Sequence, residues 1–99
     1  MKVKITSVHF KTDQRLDDFI QDKVGKLSGF YEGIISSEVT LRLENHDKQE
    51  NKIAEVRLIV RGNDLFAKKQ CKTFEEAIDD SVEALRKQIK KYKEKLRGE

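Results

Sequence analysis

The sequence predicts an α+β domain in the order β-α-β-β-β-α, with one four-stranded mixed sheet and two roughly parallel helices on one sheet face. Three observations carry this. Two-residue alternation of apolar and polar residues recurs in four segments, and three-and-four-residue spacing occurs in two others, one after the first strand and one at the end. Every alternating segment also keeps a polar side, so both helices must cover the opposite face to bury the apolar set. A chain of 99 residues has room for one core, and residues 1–99 are expected to form a single domain.

Val3 and Ile5 alternate with Lys2, Lys4 and Thr6, the pattern of a first strand with one wet face. Thr12 or Asp13 can cap the helix that follows, whose apolar positions are Leu16, Phe19, Ile20, Val24 and Leu27, with Gly29 as the expected terminator. From Ile35 onward, Val39, Leu41 and Leu43 alternate with Glu38, Thr40, Arg42 and Glu44 in a second strand. The polar stretch 45–51 predicts a hairpin loop. Ala54, Val56, Leu58 and Val60 then face inward on a third strand against Glu55, Arg57, Ile59 and Arg61. Gly62-Asn63-Asp64 supplies turn chemistry. Leu65, Ala67 and Cys71 define the inner face of a fourth strand, where Lys69 is an awkward fit, and Phe66, Lys68, Gln70 and Lys72 define the outer one.

Thr73-Phe74-Glu75-Glu76 fits a capping box, from which Phe74, Ile78, Val82, Leu85, Ile89, Tyr92 and Leu96 run at helical spacing to the chain end. That is roughly 36 Å of helix. Strands of ordinary length span only about 20 Å, so the last turns are expected to project beyond the sheet. A right-handed crossover makes the first two strands parallel, and two hairpins then reverse direction twice. The helices consequently run the same way, and their C-termini share one end of the molecule.

Charge divides along both helices. Residues 73–85 carry five acids and no base, whereas 86–97 carry seven bases and one acid, Glu94. On a helical wheel Arg86, Lys90, Lys93 and Arg97 form one stripe, and Lys87, Lys91 and Lys95 form another. The first helix repeats the polarity, with Asp13, Asp17, Asp18 and Asp22 early and Lys23 and Lys26 late. Complementing the helix dipole explains two or three such charges, because that effect fades within the last turn. Like charges at i, i+4 cost an isolated helix about 0.2–0.5 kcal/mol per pair. Seven cations in twelve residues therefore point to an anionic, phosphate-rich partner. Lys23 falls inside the apolar arc of its helix, and its stem is expected to lie on the core while the ammonium leaves by the helix end. Phe30, Tyr31 and Tyr92 near this end either pack in the core or stack on unpaired bases.

The same residues speak against other functions. Lys plus Arg exceed Asp plus Glu by only three, so it is the placement of charge that is informative. Leu58-Ile59-Val60 is the longest wholly aliphatic run, far short of a membrane span or a secretory leader, which predicts a cytoplasmic protein with no membrane partner. One cysteine, Cys71, permits no internal disulfide, and with only His9 and His46 beside it no metal-ligand spacing emerges. Neither histidine has an evident carboxylate or nucleophile partner, and Gly29, Gly33 and Gly62 stand apart rather than in a phosphate loop. No catalysis, cofactor or small-molecule substrate is expected.

Lys2-Val3-Lys4-Ile5-Thr6, Asp22-Lys23-Val24-Gly25-Lys26-Leu27, and the stretch from Ala77-Ile78-Asp79 through Leu85, Lys87-Gln88-Ile89, Lys91, Lys93 and Lys95-Leu96 give the chain a family likeness. Over its whole length it resembles the ribosome hibernation promoting factor family, which includes the ribosome-associated translation inhibitors. The resemblance implies a fold similar to a double-stranded RNA-binding domain, binding to the small ribosomal subunit and its ribosomal RNA where messenger and transfer RNA would lie, and silencing of translation. It carries the family's basic positions onto Lys23, Lys26, Lys87, Lys91, Lys93 and Lys95, with Arg86 and Lys90 as additional RNA-binding candidates. Lys69, Cys71 and Glu75-Glu76 depart from the family pattern. The chain resembles the short form, which implies no C-terminal dimerisation domain and a monomer when free. A competing reading is a protein-interaction module: Ile78, Val82, Leu85, Ile89, Tyr92 and Leu96 are spaced 4-3-4-3-4, the period of a coiled-coil zipper.

Overall fold

Strand pairing sets the architecture. The computed structural model describes residues 1–44 and 49–96. In chain order these form β1 (Lys2–Ser7), α1 (Gln14–Gly25), a 3-10 turn (Lys26–Gly29), β2 (Ile34–Leu43), β3 (Lys52–Val60), β4 (Asn63–Cys71) and α2 (Phe74–Leu96). The sheet order is β1-β2-β3-β4. β1 runs parallel to β2, with Val3 opposite Ser37 and Ile5 opposite Val39, whereas β2–β3 and β3–β4 are antiparallel. Ile34 pairs with Val60 and Ser36 with Ile59, so Ile35 is an extra, bulged residue. The bulge resets the phase of β2: Ile34 is buried, Ile35 is exposed, and Ser37, Val39 and Leu41 face the core.

Both helices lie on one sheet face. Ile20, Val24 and Leu27 from the first helical segment and Ala77, Ile78, Leu85 and Ile89 from α2 join Val39, Leu41, Val56, Leu58 and Leu65 in one buried cluster. α2 packs across β3 and β4, and α1 packs on β1 and α2. On the wet face, Lys4, Glu38, Arg57 and Phe66 stand in register across all four strands. Ile53 is buried outside the main cluster, on the wet-face parity and opposite Arg42 and Gln70. Lys69 sits opposite Ala54, on the inner-face parity as the sequence suggested, yet it is exposed on the edge strand, where charge also discourages pairing with another sheet.

Local chemistry sets most element ends. Asp13 caps α1, its carboxylate accepting from the Leu16 N–H at 2.8 Å, while Thr12 donates to Asp17 at 2.6 Å. Gly29 does not end α1 in a left-handed cap. The helix tightens into the 3-10 turn, Ser28 Oγ donates to the Gly25 carbonyl at 2.8 Å, and Phe30 N–H closes onto the Leu27 carbonyl at 3.0 Å. At α2, the Thr73 hydroxyl accepts from the Glu76 N–H at 3.1 Å, the threonine half of the capping box. The β3–β4 turn is Arg61-Gly62, with Gly62 at φ +84°; Asn63 and Asp64 already belong to β4. Glu44 N–H donates to the Asn51 carbonyl at 2.9 Å between β2 and β3, and residues 45–48 of the expected loop, His46 included, lie outside the described residues.

Strands β2, β3 and β4 run nine or ten residues, about 30 Å, rather than the roughly 20 Å of an ordinary strand. The overhang of α2 is correspondingly short. Tyr92 Oη donates to the Arg61 carbonyl at 3.1 Å, level with the β3–β4 turn, so only the last turn extends past the sheet.

Ser81 is fully buried on α2 with no hydrogen-bond partner for its hydroxyl among the described residues. Removing that hydroxyl relieves a desolvation cost, so Ser81→Ala should stabilise the fold by about 1 kcal/mol. Leu85→Ala, at the centre of the same face, should destabilise it by about 2–5 kcal/mol. Urea unfolding followed by circular dichroism measures both, and the opposite signs are the expected outcome.

Candidate nucleic-acid interface

Four contacts, in and around α1 and α2, show that the two helices run parallel. At their starts the Phe10 and Phe74 rings stack, with centroids 5.2 Å apart and planes 10° apart. Further along, Lys23 Nζ lies 3.6 Å from Asp79 Oδ1. Beyond α1, Lys93 Nζ donates to the Phe30 carbonyl at 3.1 Å, and the Tyr31 and Tyr92 rings meet edge-on at 5.7 Å. Start lies beside start and end beside end. The tips are not flush, because α1 closes next to Glu83 and Arg86 while α2 continues for more than two turns.

This offset sorts the sequence-predicted residues into two groups. Lys23 and Lys26 lie beside the acidic half of α2 and the acids of their own helix. Lys23 pairs with Asp79 and sits 5.6 Å over the Phe19 ring; Lys26 pairs with Asp22 at 3.4 Å. Lys23 is half-buried, as its place in the apolar arc suggested, but its ammonium stays between the helices instead of leaving by the end. The second group occupies α2. Arg86 pairs with Glu83 at 3.1 Å and lays its guanidinium 4.8 Å from the centre of the Phe30 ring. Lys93 is half-buried and tied to the Phe30 carbonyl. Lys87, Lys90, Lys91 and Lys95 are exposed, with no carboxylate in ion-pairing range among the described residues. Arg97 lies outside the described residues.

The helix wheel explains the division. Asp79, Glu83, Arg86, Lys90 and Lys93 occupy the side of α2 that meets α1 and Phe30, while Gln88, on the other flank, donates to the Phe66 carbonyl of β4 at 2.8 Å. Lys87, Lys91 and Lys95 are left on the solvent side. The zipper reading loses its apolar seam here, because Ile78, Leu85 and Ile89 are spent on the sheet and Leu96, 57% exposed, is what remains open.

Of the three aromatics whose role the sequence left open, Phe30 is the exposed one. It remains 43% exposed, and it receives Arg86 on its ring and Lys93 on its carbonyl. Tyr31 and Tyr92 are structural: they pack on each other, and Tyr92 is bonded to the β3–β4 turn. Gly33 makes the Tyr31 position possible, since a Cβ there would fall 2.3 Å from the Tyr31 ring. Asp79 and Glu83 were read as acids near the helix start; the packing of α1 on α2 gives Asp79 its partner Lys23, and Glu83 pairs with Arg86 three residues along its own helix.

The family described as Sigma 54 modulation protein / S30EA ribosomal protein matches residues 3–97. The chain belongs to that family. The S30EA likeness extends to ribosome hibernation promoting factors of Pseudomonas putida, 28% identical over 95 residues covering 96% of this chain and 89% of that protein, and of Klebsiella oxytoca, 28% identical over 97 residues covering 98% of each. Among solved structures, a ribosomal subunit interface protein from Coxiella burnetii gives a TM-score of 0.82 at 16% identity, over 94% of this chain and 98% of that one. The Thermus thermophilus Protein Y N-terminal domain gives 0.79 at 20% identity, over 93% and 99%. At those identities the structures share the S30EA fold, two helices on one face of a four-stranded sheet included.

The reactive side chains His9 and Cys71 of this S30EA chain stand apart from the basic end. His9 is exposed at φ 65° in the loop after β1, and no cluster of metal-ligating side chains occurs among the described residues. Among them, no helix is long and apolar enough to cross a membrane. Cys71, at the end of β4, donates to Asp80 Oδ2 at 3.4 Å. Burial first, then the hydrogen bond to Asp80 and its charge, push the thiol from 9.0 up to about 11. Cys71 is thus a neutral thiol near pH 7, the inert form. The unfolded chain sheds this proton more readily, so the contribution of Cys71 to stability is lost as pH rises from about 9 toward 11. Alkylation of Cys71 at pH 8 should be at least about tenfold slower than that of an unstructured cysteine peptide. Asp80→Asn should shift the pH–rate profile downward, measured by iodoacetamide labelling and mass spectrometry.

Proposed function

We propose that this chain is a ribosome hibernation factor that binds the small ribosomal subunit through the basic end of α2 and blocks the sites of messenger and transfer RNA. One observation carries the reading: Arg86, Lys87, Lys90, Lys91, Lys93 and Lys95 share one end of one helix, and four of them are exposed without a carboxylate partner among the described residues. Such a cluster is costly unless an external anion compensates it, and ribosomal RNA supplies phosphate at the required density. The family's name and the names of the relatives supply the ribosome as the source of that RNA. The action is stoichiometric occupancy of a groove in the cytoplasm, with the protein monomeric when free.

Within this reading the eight candidate residues contribute unequally. Lys87, Lys91 and Lys95 offer open ammonium groups to phosphates, with Lys90 beside them. Arg86 and Lys93 also order Phe30. Lys23 and Lys26 add less, because Asp79 and Asp22 already offset part of their charge.

Cosedimentation of the purified protein with separated small and large subunits, with and without competing transfer RNA, tests the proposal. Binding should favour the small subunit, weaken with transfer RNA, and fall with salt at a log–log slope of about −0.7 to −0.9 per phosphate neutralised. Replacing Lys87, Lys91 and Lys95 together by alanine should release the protein from small subunits at physiological salt while leaving its urea midpoint unchanged. Lys23→Ala with Lys26→Ala should weaken binding less than that triple variant. Cosedimentation of the triple variant at the parent level, or a flat salt response, would refute the electrostatic mechanism.

A further inference from the structure

Between the end of the 3-10 turn and the second half of α2 lies a groove of about 360 Å³. Its size falls in the range of about 300–1,000 Å³ usual for small-ligand clefts. Phe30 and the edge of Ile89 form an apolar floor, and Arg86, Lys87, Lys90 and Lys93 form the rim. Glu83 and Glu94 also border it, and Glu83 is engaged by Arg86 at 3.1 Å.

A surface that only tracked a phosphate backbone would need cations and no floor. This groove has a floor, and the floor is aromatic. Phe30 is 43% exposed, the Arg86 guanidinium lies 4.8 Å from the centre of its ring, and Lys93 fixes the Phe30 backbone through its carbonyl. A planar ring beside a planar guanidinium is a stacking platform for a nucleobase. Ammonium groups at the rim then stand where the phosphate of the same nucleotide would leave the groove.

Resting on the RNA-binding reading above, we infer that this groove takes one unpaired nucleotide, its base stacked against the Phe30–Arg86 pair and its phosphate held by Lys87 and Lys90. An acidic peptide would satisfy the rim but leave the aromatic floor unused. The groove thus adds to the non-specific grip of the lysine stripe a preference for RNA with a base free of its helix.

Fluorescence anisotropy with three RNA hairpins tests this: one fully paired, one with a single bulged adenosine, and one with an abasic nucleotide at the bulge. The protein should bind the adenosine bulge about 5- to 10-fold more tightly than either control. Phe30→Leu keeps the apolar volume and removes the ring; it should bring all three affinities together while leaving the paired hairpin within about twofold of its parent value. Phe30→Tyr should keep the preference, and a thermal melt establishes that the leucine variant is folded. Equal affinities for all three hairpins, a preference that survives Phe30→Leu, or displacement of the bulged RNA by an oligoglutamate of equal charge as efficiently as by unlabelled RNA would each overturn the nucleotide subsite. If the paired hairpin still binds with a steep salt dependence, the basic-surface reading stands without the subsite. If no hairpin binds at any salt, both fall.

Discussion

One sheet face must be covered by two helices, and nearly everything at the basic end depends on how that requirement is met. The parallel β1–β2 crossover sends α1 back along the sheet, and the two antiparallel pairings then place the start of α2 at the same end as the start of α1. Ile78, Leu85 and Ile89 anchor α2 over β3 and β4, while Ile20, Val24 and Leu27 fill the space beside it. Burial of each of these side chains is worth about 1.5–3 kcal/mol. No surface charge pair competes with that, since exposed pairs contribute about 0–1 kcal/mol. Apolar packing therefore decides where the charges go, and the charges accept the position.

Seen this way, the two groups of cations differ by geometry rather than by residue type. α1 is short and ends beside Glu83 and Arg86, so Lys23 and Lys26 come to rest near carboxylates. α2 is long, and its second half has passed those carboxylates before Lys87, Lys90 and Lys91 appear. The solvent-accessible pairs at Lys23, Lys26 and Arg86 are weak and salt-sensitive, so an incoming phosphate can exchange with Asp79, Asp22 or Glu83 at small cost. The exposed lysines require no exchange at all. A gradient of readiness thus runs along α2, from the compensated cations beside α1 to the open ones near its end.

The fold was largely legible because period and polarity agreed in nearly every segment, Lys69 being the exception. Four alternating stretches and two helical stretches admitted one arrangement once each strand was seen to keep a wet face, and the direction of both helices followed from the handedness of one crossover. What escaped reading was set by tertiary contact. The bulge at Ile35 is invisible in a run such as Ile34-Ile35, where both residues are equally apolar. The 3-10 ending of α1 replaced a glycine cap because Phe30 closes onto Leu27 before any left-handed residue is needed. β4 starts two residues earlier than expected because Asn63 and Asp64, next to Gly62, look like turn residues in isolation, although both pair with β3. At the candidate site, charge partition along α2 identified its cations, yet the compensation of Lys23 by Asp79 could not be seen without the packing of one helix on the other. Phe30 was ambiguous for a related reason: an aromatic residue after a helix reads first as core, and its exposure is what makes it available as a platform.

A helix carrying six cations in ten residues would be expected to fray, and the way this one is anchored bears on what it can do. Three side chains on its inner flanks reach backbone carbonyls of other elements: Gln88 to Phe66, Tyr92 to Arg61 and Lys93 to Phe30. These bonds pull the second half of α2 onto the β3–β4 hairpin and the turn after α1 without drawing on the outward lysines. Lys93 is the one cation committed to this work, and a charged donor to a carbonyl is the stronger kind of such bond. Because the anchors lie on the flanks toward the sheet, repulsion among Lys87, Lys91 and Lys95 acts on the solvent side, where water and counterions screen it until an anionic surface takes their place. Order in the helix and openness of its charges are therefore supplied by different residues, which allows the charged face to be rigid before any partner arrives.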